Sequence, residues 1–130
     1  MLLTRSGVVV TTSSSSINPG QSVTLTATVS GNAPTGTVQF QANGVNIGSP
    51  VTVAVNFAVL TTTQFTSLGN EQITAIYSGD LNNAGSTSSP ITEVVVESNF
   101  NTQDVPLPAW VIAMLGLGLF RLTQTSVRRT

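Results

Sequence analysis

Carboxylates and hydroxyls are almost the only side chains in this sequence that could begin chemistry, because it contains no Lys, His or Cys. That removes the usual proton shuttles and Schiff-base amines, along with thiolate nucleophiles, thiolate metal sites and disulfides. Glu93 and Glu97 form a regularly spaced acidic pair. Four positions apart on a strand, they share a face at about 13 Å, wider than the usual glycosidase geometries, so both read as part of a solvated face. Asp80, with Asn82 and Asn83, offers oxygens to calcium. That ion takes about six to eight oxygens, usually several from carboxylates, so a single carboxylate in a Gly-rich turn reads as a turn residue. Tyr77 shares phase with Ile73 and Ala75 and reads as core, with a hydroxyl that needs a partner at the strand end. Ser13 to Ser16 offers hydroxyls to a glycan or a phosphate but reads as a solvated linker or strand edge. A hydroxyl nucleophile needs an adjacent base, and none is evident. The expectation is a protein that is not an enzyme and carries no cofactor and no metal.

The elements that must position these groups are strands. Val23, Leu25, Ala27 and Val29 alternate with Thr24, Thr26 and Thr28, the period-2 pattern of a half-buried strand. Val8 to Thr12 predicts a strand before it, and Asn18-Pro19-Gly20 a turn between them. Thr37 to Ala42, with Val38, Phe40 and Ala42 inward, runs into Asn43-Gly44, the strongest short hairpin signal. The return strand starts at Val45 and Ile47 and is predicted to break at Gly48-Ser49-Pro50. The long β-prone stretch after Pro50 has its best turn at Asn56, leading to Ala58 and Leu60 inward. Gln72 to Ser78 and Thr92 to Glu97 supply the last strands. About seven short strands separated by Gly, Pro and Asn turns predict an all-β, immunoglobulin-like antiparallel sandwich. Its expected core includes Leu25, Ala27, Val38, Phe40, Leu60, Ile73, Ala75 and Tyr77.

The organisation follows from changes in composition. Residues 1–7 read as a disordered or truncated N-terminus with no signal-peptide pattern, 8–97 as the sandwich domain and 98–104 as a polar linker. In residues 105–130 the chain changes character: Ala109 to Phe120 is apolar or Gly throughout, then Arg121, Arg128 and Arg129 follow. Arg5 is the only base upstream of that tail, so no basic face exists to track phosphates and nucleic acid is not an expected partner. The apolar run is short for a spanning helix, but adding Val105 to Pro108 and Leu122 lengthens it to a marginal span, with the helix expected over residues 107–122. Apolar all round rather than on one stripe, they predict a membrane helix with the Arg cluster inside and Trp110 at the opposite interface.

Three segments carry a resemblance. Gln21-Ser22-Val23-Thr24-Leu25-Thr26-Ala27-Thr28-Val29, Gly36-Thr37-Val38-Gln39-Phe40 and Ile73-Thr74-Ala75-Ile76-Tyr77-Ser78-Gly79-Asp80 resemble, in order, the bacterial Ig-like repeats found in tandem in large surface proteins. The run Ala84 to Ser89 continues the match. The tail resembles the tripartite C-terminal sorting signals processed by exosortase-type enzymes in Gram-negative bacteria. Its sorting motif would be Val105, Pro106, Leu107, Pro108, Ala109 and Trp110, followed by the hydrophobic span and a basic anchor of Arg121, Arg128 and Arg129.

These resemblances imply an exported, non-catalytic spacer module of the bacterial cell envelope or surface, its C-terminus cytoplasmic before any processing. Implied partners are the membrane through residues 107–122, a sorting protease acting on the tail, and neighbouring Ig-like repeats if the chain is a fragment of a larger protein. The alternative is an adhesin recognising glycan or protein through loops at one end of the sandwich, such as Gly31 to Gly36 and Gly79 to Gly85.

Overall fold

Alternation of apolar and Thr side chains makes Val23–Ser30 the strand around which one sheet is built: its valines, leucine and alanine face inward and its threonines outward. The computed structural model describes residues 2–97. The strands are β1 (Gly7–Thr12), β2 (Ser16–Ile17), β3 (Val23–Ser30), β4 (Thr37–Ala42), β5 (Val45–Thr52), β6 (Phe57–Thr62), β7 (Gly69–Tyr77), β8 (Ser86–Thr87) and β9 (Ile91–Val95). One sheet has the order β1-β3-β6; the other runs β2-β9-β7-β4-β5, with β8 beside β7. All pairings between these strands are antiparallel except β2 with β9. This is the expected all-β, immunoglobulin-like sandwich. The linker at 98–104, the tail at 105–130 and the helix expected within it lie outside the described residues.

The core forms where the inward phases of the two sheets meet. Leu25, Ala27, Val38, Phe40, Ile73, Ala75 and Tyr77 are all fully or almost fully buried, as expected. Leu60 differs: it is only half-buried and packs at the margin of this cluster. The reason is its place on β6, an edge strand with a neighbour on one side alone. With no disulfide possible, removal of this apolar surface from water is the main stabilising term.

One local expectation needs correction. Gly48-Ser49-Pro50 does not end the return strand. β5 continues through it, and its register against β4 slips between Val38 and Phe40, so that Val38 pairs with Val51 but Phe40 with Ile47. This bulge sits on an edge strand, where the missing Pro50 N–H removes no ladder bond. Gln39 Nε2 donates to the Ile47 and Gly48 carbonyls at 3.2 Å each, holding the bulge in place. The head, residues 2–7, meets the loop between β7 and β8. Thr4 donates its N–H to the Asn82 carbonyl and accepts from the Ala84 N–H, while Ser6 Oγ lies 2.7 Å from Ser86 Oγ. Of the two readings of Ser13 to Ser16, linker or strand edge, the second holds at Ser16, because Ser16 and Ile17 carry the chain across to the second sheet and pair with Val94 and Val95.

The expected turn at Asn56 is present, as a two-residue loop. Ala54 and Phe57 exchange both backbone hydrogen bonds, and Val55 (φ 50°) and Asn56 (φ 73°) both take left-handed backbone. Asn56 suits that conformation and donates its Nδ2 to the Val29 carbonyl at 2.8 Å. Val55 is β-branched and suits it poorly.

The registers also fix two poles. β1 starts opposite Ser30 and β9 ends opposite Gly69, so the chain enters the sandwich at one end and leaves at the other. Loops Gly31 to Gly36 and Gly79 to Gly85 share the entrance pole with residues 2–6. The Asn43-Gly44 hairpin and the segment from Thr63 to Leu68 share the exit pole.

Candidate functional site

At the entrance pole, Asp80 is a hub. Its Oδ1 accepts the backbone N–H groups of Asn82 and Asn83, at 2.7 Å each. Its Oδ2 accepts the backbone N–H of Thr35 at 2.6 Å and the Thr35 hydroxyl at 2.9 Å. Asn83 Nδ2 lies 2.9 Å and 3.1 Å from the two oxygens. The Thr35 backbone N–H does most to hold the Asp80 carboxyl well below the usual carboxylate range; desolvation opposes this, and donors from Asn82, the Thr35 hydroxyl and Asn83 reinforce it. The Tyr77 hydroxyl donates to the Thr35 carbonyl at 2.6 Å and lies 3.1 Å from Asp80 Oδ2. Burial, then the neighbouring Asp80, pushes the Tyr77 phenol above its ordinary range. Its hydroxyl thus finds its partners at the strand end.

Asn83 completes this clamp and was read from sequence only as a turn residue. It is fully buried. Its Oδ1 accepts the Asn32 N–H at 2.7 Å and its Nδ2 donates to the Asn32 carbonyl at 3.0 Å, as a strand would. Gly31 makes room for it, since a Cβ there would overlap Asn83 Oδ1. A carboxylate oxygen has about two lone pairs, and both Asp80 oxygens already face at least that many donors. Asp80 therefore locks two loops together and has no acceptor capacity left for a cation. Among the described residues no three acidic, His or Cys side chains cluster to hold a metal.

Glu93 overturns the reading of a solvated Glu93–Glu97 face. Glu97 is exposed beyond the end of β9, but Glu93 is fully buried. Its register opposite Glu71 places it in the inward phase shared with Ile73, Ala75 and Val95. Oε1 accepts the Thr12 hydroxyl of the facing sheet at 2.7 Å, while Oε2 has no hydrogen-bond partner among the described residues. Sequence alternation could not reveal this, because Ile91 to Val96 has apolar residues in both phases.

The exit pole holds a groove that sequence reasoning missed. It lies between the β4–β5 hairpin and the segment leading into β7, with a volume of about 300 Å³. Ala42, Val45, Ile47 and Phe65 form its apolar wall. Asn43 ties the hairpin to β7: its Oδ1 accepts the Gln72 N–H at 2.9 Å, and its Nδ2 donates to Glu71 Oε1 at 2.8 Å. The groove draws on three separate stretches of chain, so no local motif announces it. The loops expected to serve an adhesin lie at the opposite pole and are engaged by Asp80 and Asn83. The sorting motif Val105 to Trp110 and the bases Arg121, Arg128 and Arg129 lie outside the described residues.

Two sheets that are antiparallel but for the short β2–β9 pairing, a chain that switches sheets at Ser16, and β9 returning beside β7 define an immunoglobulin-like module. The model for the bacterial Ig-like domain (group 3) family matches residues 10–96, and the chain belongs to that family. Among solved structures, it is similar to fibronectin(III)-like modules of Clostridium thermocellum CbhA, with 18% identity and a TM-score of 0.55. The match covers 78% of this chain and 52% of that one, so the chain spans about half its length; at this identity the likeness shows a shared fold. No curated protein matches.

Proposed function

We propose that this chain is a non-catalytic structural module of a bacterial cell-surface protein, one that sets distance and presents what is joined to it. The observation that carries this reading is the opposition of the poles: β1 begins at one end of the sandwich and β9 finishes at the other, so a chain passing through gains the full length of the domain. Locked loops at the entrance pole suit a rigid spacer better than an adaptable recognition surface. Ig-like and fibronectin(III)-like domains are generally non-catalytic, which accords with hydroxyls that lack an activating base.

In this reading residues 107–122 hold the module in the membrane, Arg121, Arg128 and Arg129 stay cytoplasmic, and an exosortase-type protease acts at Val105 to Trp110. The domain then stands on the outer side of the envelope, in series with any neighbouring Ig-like repeats. A reporter bearing a signal peptide, fused ahead of Leu2 and expressed in a Gram-negative bacterium, tests both parts. The full fusion should pellet with membranes and bind external antibody. Deleting residues 105–130 should release it, and deleting 8–97 should leave it anchored but poorly reached by antibody. A reporter that is soluble with the tail present refutes the anchor. Equal antibody access with and without the sandwich refutes the spacer.

A second reading, the adhesin, is favoured only by the groove at the exit pole.

A further inference from the structure

We propose that the entrance pole of this module docks on the exit pole of a second copy, head to tail. The proposal deepens the spacer reading and rests on it: docked poles set the angle between successive modules as well as their distance. Exposed charge is sorted between the poles. Arg5, exposed at the entrance pole, is the only base among the described residues. Asp80 shares that pole, but both its oxygens are engaged inside the clamp, and Glu93 is buried. The free carboxylates are therefore Glu71, near the start of β7, and Glu97, beyond β9, both at the exit pole.

Exposed apolar surface gathers at the same two places. Val9, Phe57 and Val59 lie on the outer face of the β1-β3-β6 sheet; every other large apolar side chain left exposed among the described residues stands at a pole. At the entrance, Val55 is 87% exposed and holds a left-handed φ of 50° that a β-branched residue adopts at a cost. The fold gains nothing from this side chain, and backbone strain kept at an exposed position points to a use outside the fold. Leu81, 86% exposed, projects from the loop that Asp80 and Asn83 lock. Both turns are tied to one stretch of chain: Asn56 bonds Val29, and Asn83 bonds Asn32. The two apolar side chains thus stand on a rigid base, and little ordering entropy is lost on docking.

The exit pole supplies the socket. Its groove of about 300 Å³ has an apolar wall that includes Val45 and Ile47, and Leu68 is exposed nearby. Asn43 fixes one side to β7, and the Gly20 N–H, donating to the Phe65 carbonyl at 2.8 Å, fixes the other. Charge then decides the orientation. Entrance against entrance brings two Arg5 side chains together, and exit against exit brings carboxylates together. Only head to tail sets Arg5 against Glu71 and Glu97, and like charges across an interface suppress the wrong pairing. Exposed ion pairs add little affinity, so the apolar contacts supply it and the charges set direction. Such a contact does not close on itself and extends along a series. Between separate copies the Kd should be about 1 mM. Modules joined by a short linker meet at an effective concentration of about that size, which populates the docked form.

The test is paramagnetic relaxation between copies of the full chain, in detergent with micelles in excess over protein. The sequence has no Cys, so Thr66→Cys carries a single nitroxide at the exit pole. Spin-labelled chain is mixed with isotope-labelled chain that bears no nitroxide, at about 1 mM each. Head-to-tail docking should broaden the amide signals of Ala54, Phe57 and Asn82 in the isotope-labelled chain and leave its exit pole sharp. Val55→Asn together with Leu81→Asn in that chain should weaken docking about tenfold without lowering the melting midpoint, and Arg5→Glu should weaken it as well. Broadening strongest at the exit pole or on the outer face of the β1-β3-β6 sheet overturns the proposal, as does broadening no greater than free nitroxide gives. Broadening that survives the double substitution also overturns it. Undocked poles would leave antibody access unchanged, so failure of docking and failure of the spacer reading are told apart.

Discussion

Replacing Val55 with Asn should stabilise the protein, although it removes an apolar side chain. Val55 occupies the first position of a two-residue hairpin loop at φ 50°, and Asn56 follows at φ 73°. Left-handed backbone costs an ordinary L-residue about 1–2 kcal/mol. Asn lowers that cost because its short polar side chain tolerates the conformation. The Val55 side chain is 87% exposed, so its loss forfeits almost no buried surface. The paired hydrogen bonds of Ala54 and Phe57 are backbone groups and survive the change. The expected net gain is about 1 kcal/mol. For a domain of this size that raises the melting temperature by about 4–8 °C. Calorimetry and denaturant melts of the full chain would measure it. Val59→Asn serves as a control: Val59 is in the middle of β6 and 49% exposed, and Asn there should destabilise. A Val55→Asn protein no more stable than the parent would refute the claim that strain is stored in this turn.

Two further outcomes follow from the core and the clamp. Phe40 is fully buried between its register partners Ala75 and Ile47, so Phe40→Ala should cost about 3–5 kcal/mol in denaturant melts, and a change below about 1 kcal/mol would remove it from the core. Asp80 has a folded-state carboxyl pKa below its unfolded value, so its contribution is complete above about pH 4 and is lost as pH falls toward the folded value. The denaturation midpoint should therefore drop on acidification from about pH 5 toward pH 2, less steeply in Asp80→Asn; parallel curves for the two proteins would refute the clamp.

The sequence by itself was enough for the architecture and much of the core. Strict alternation in Val23 to Val29 leaves only one face that can be buried, whatever the partner strand. Asn43-Gly44 and Asn56 mark turns because few other residues accept left-handed backbone, and these are one-residue properties. What tertiary structure alone decided was the environment of each polar side chain. Glu93 looks like its neighbour Glu97 in sequence, yet the register against Glu71 turns it into the interior, because Ile91 to Val96 is apolar in both phases and alternation cannot choose between them. Asp80 and Asn83 look like ordinary turn residues until Thr35 and Asn32, about fifty positions earlier, arrive to use their oxygens and amides. Gly48-Ser49-Pro50 reads as a strand break, and only the edge position of β5 lets it be absorbed as a bulge. The groove between the hairpin and the Gln64–Ser67 segment has no local signal at all. Strand pattern is written in neighbouring residues, whereas burial of a polar group and the shape of a cleft arise from pairings between segments far apart in the chain.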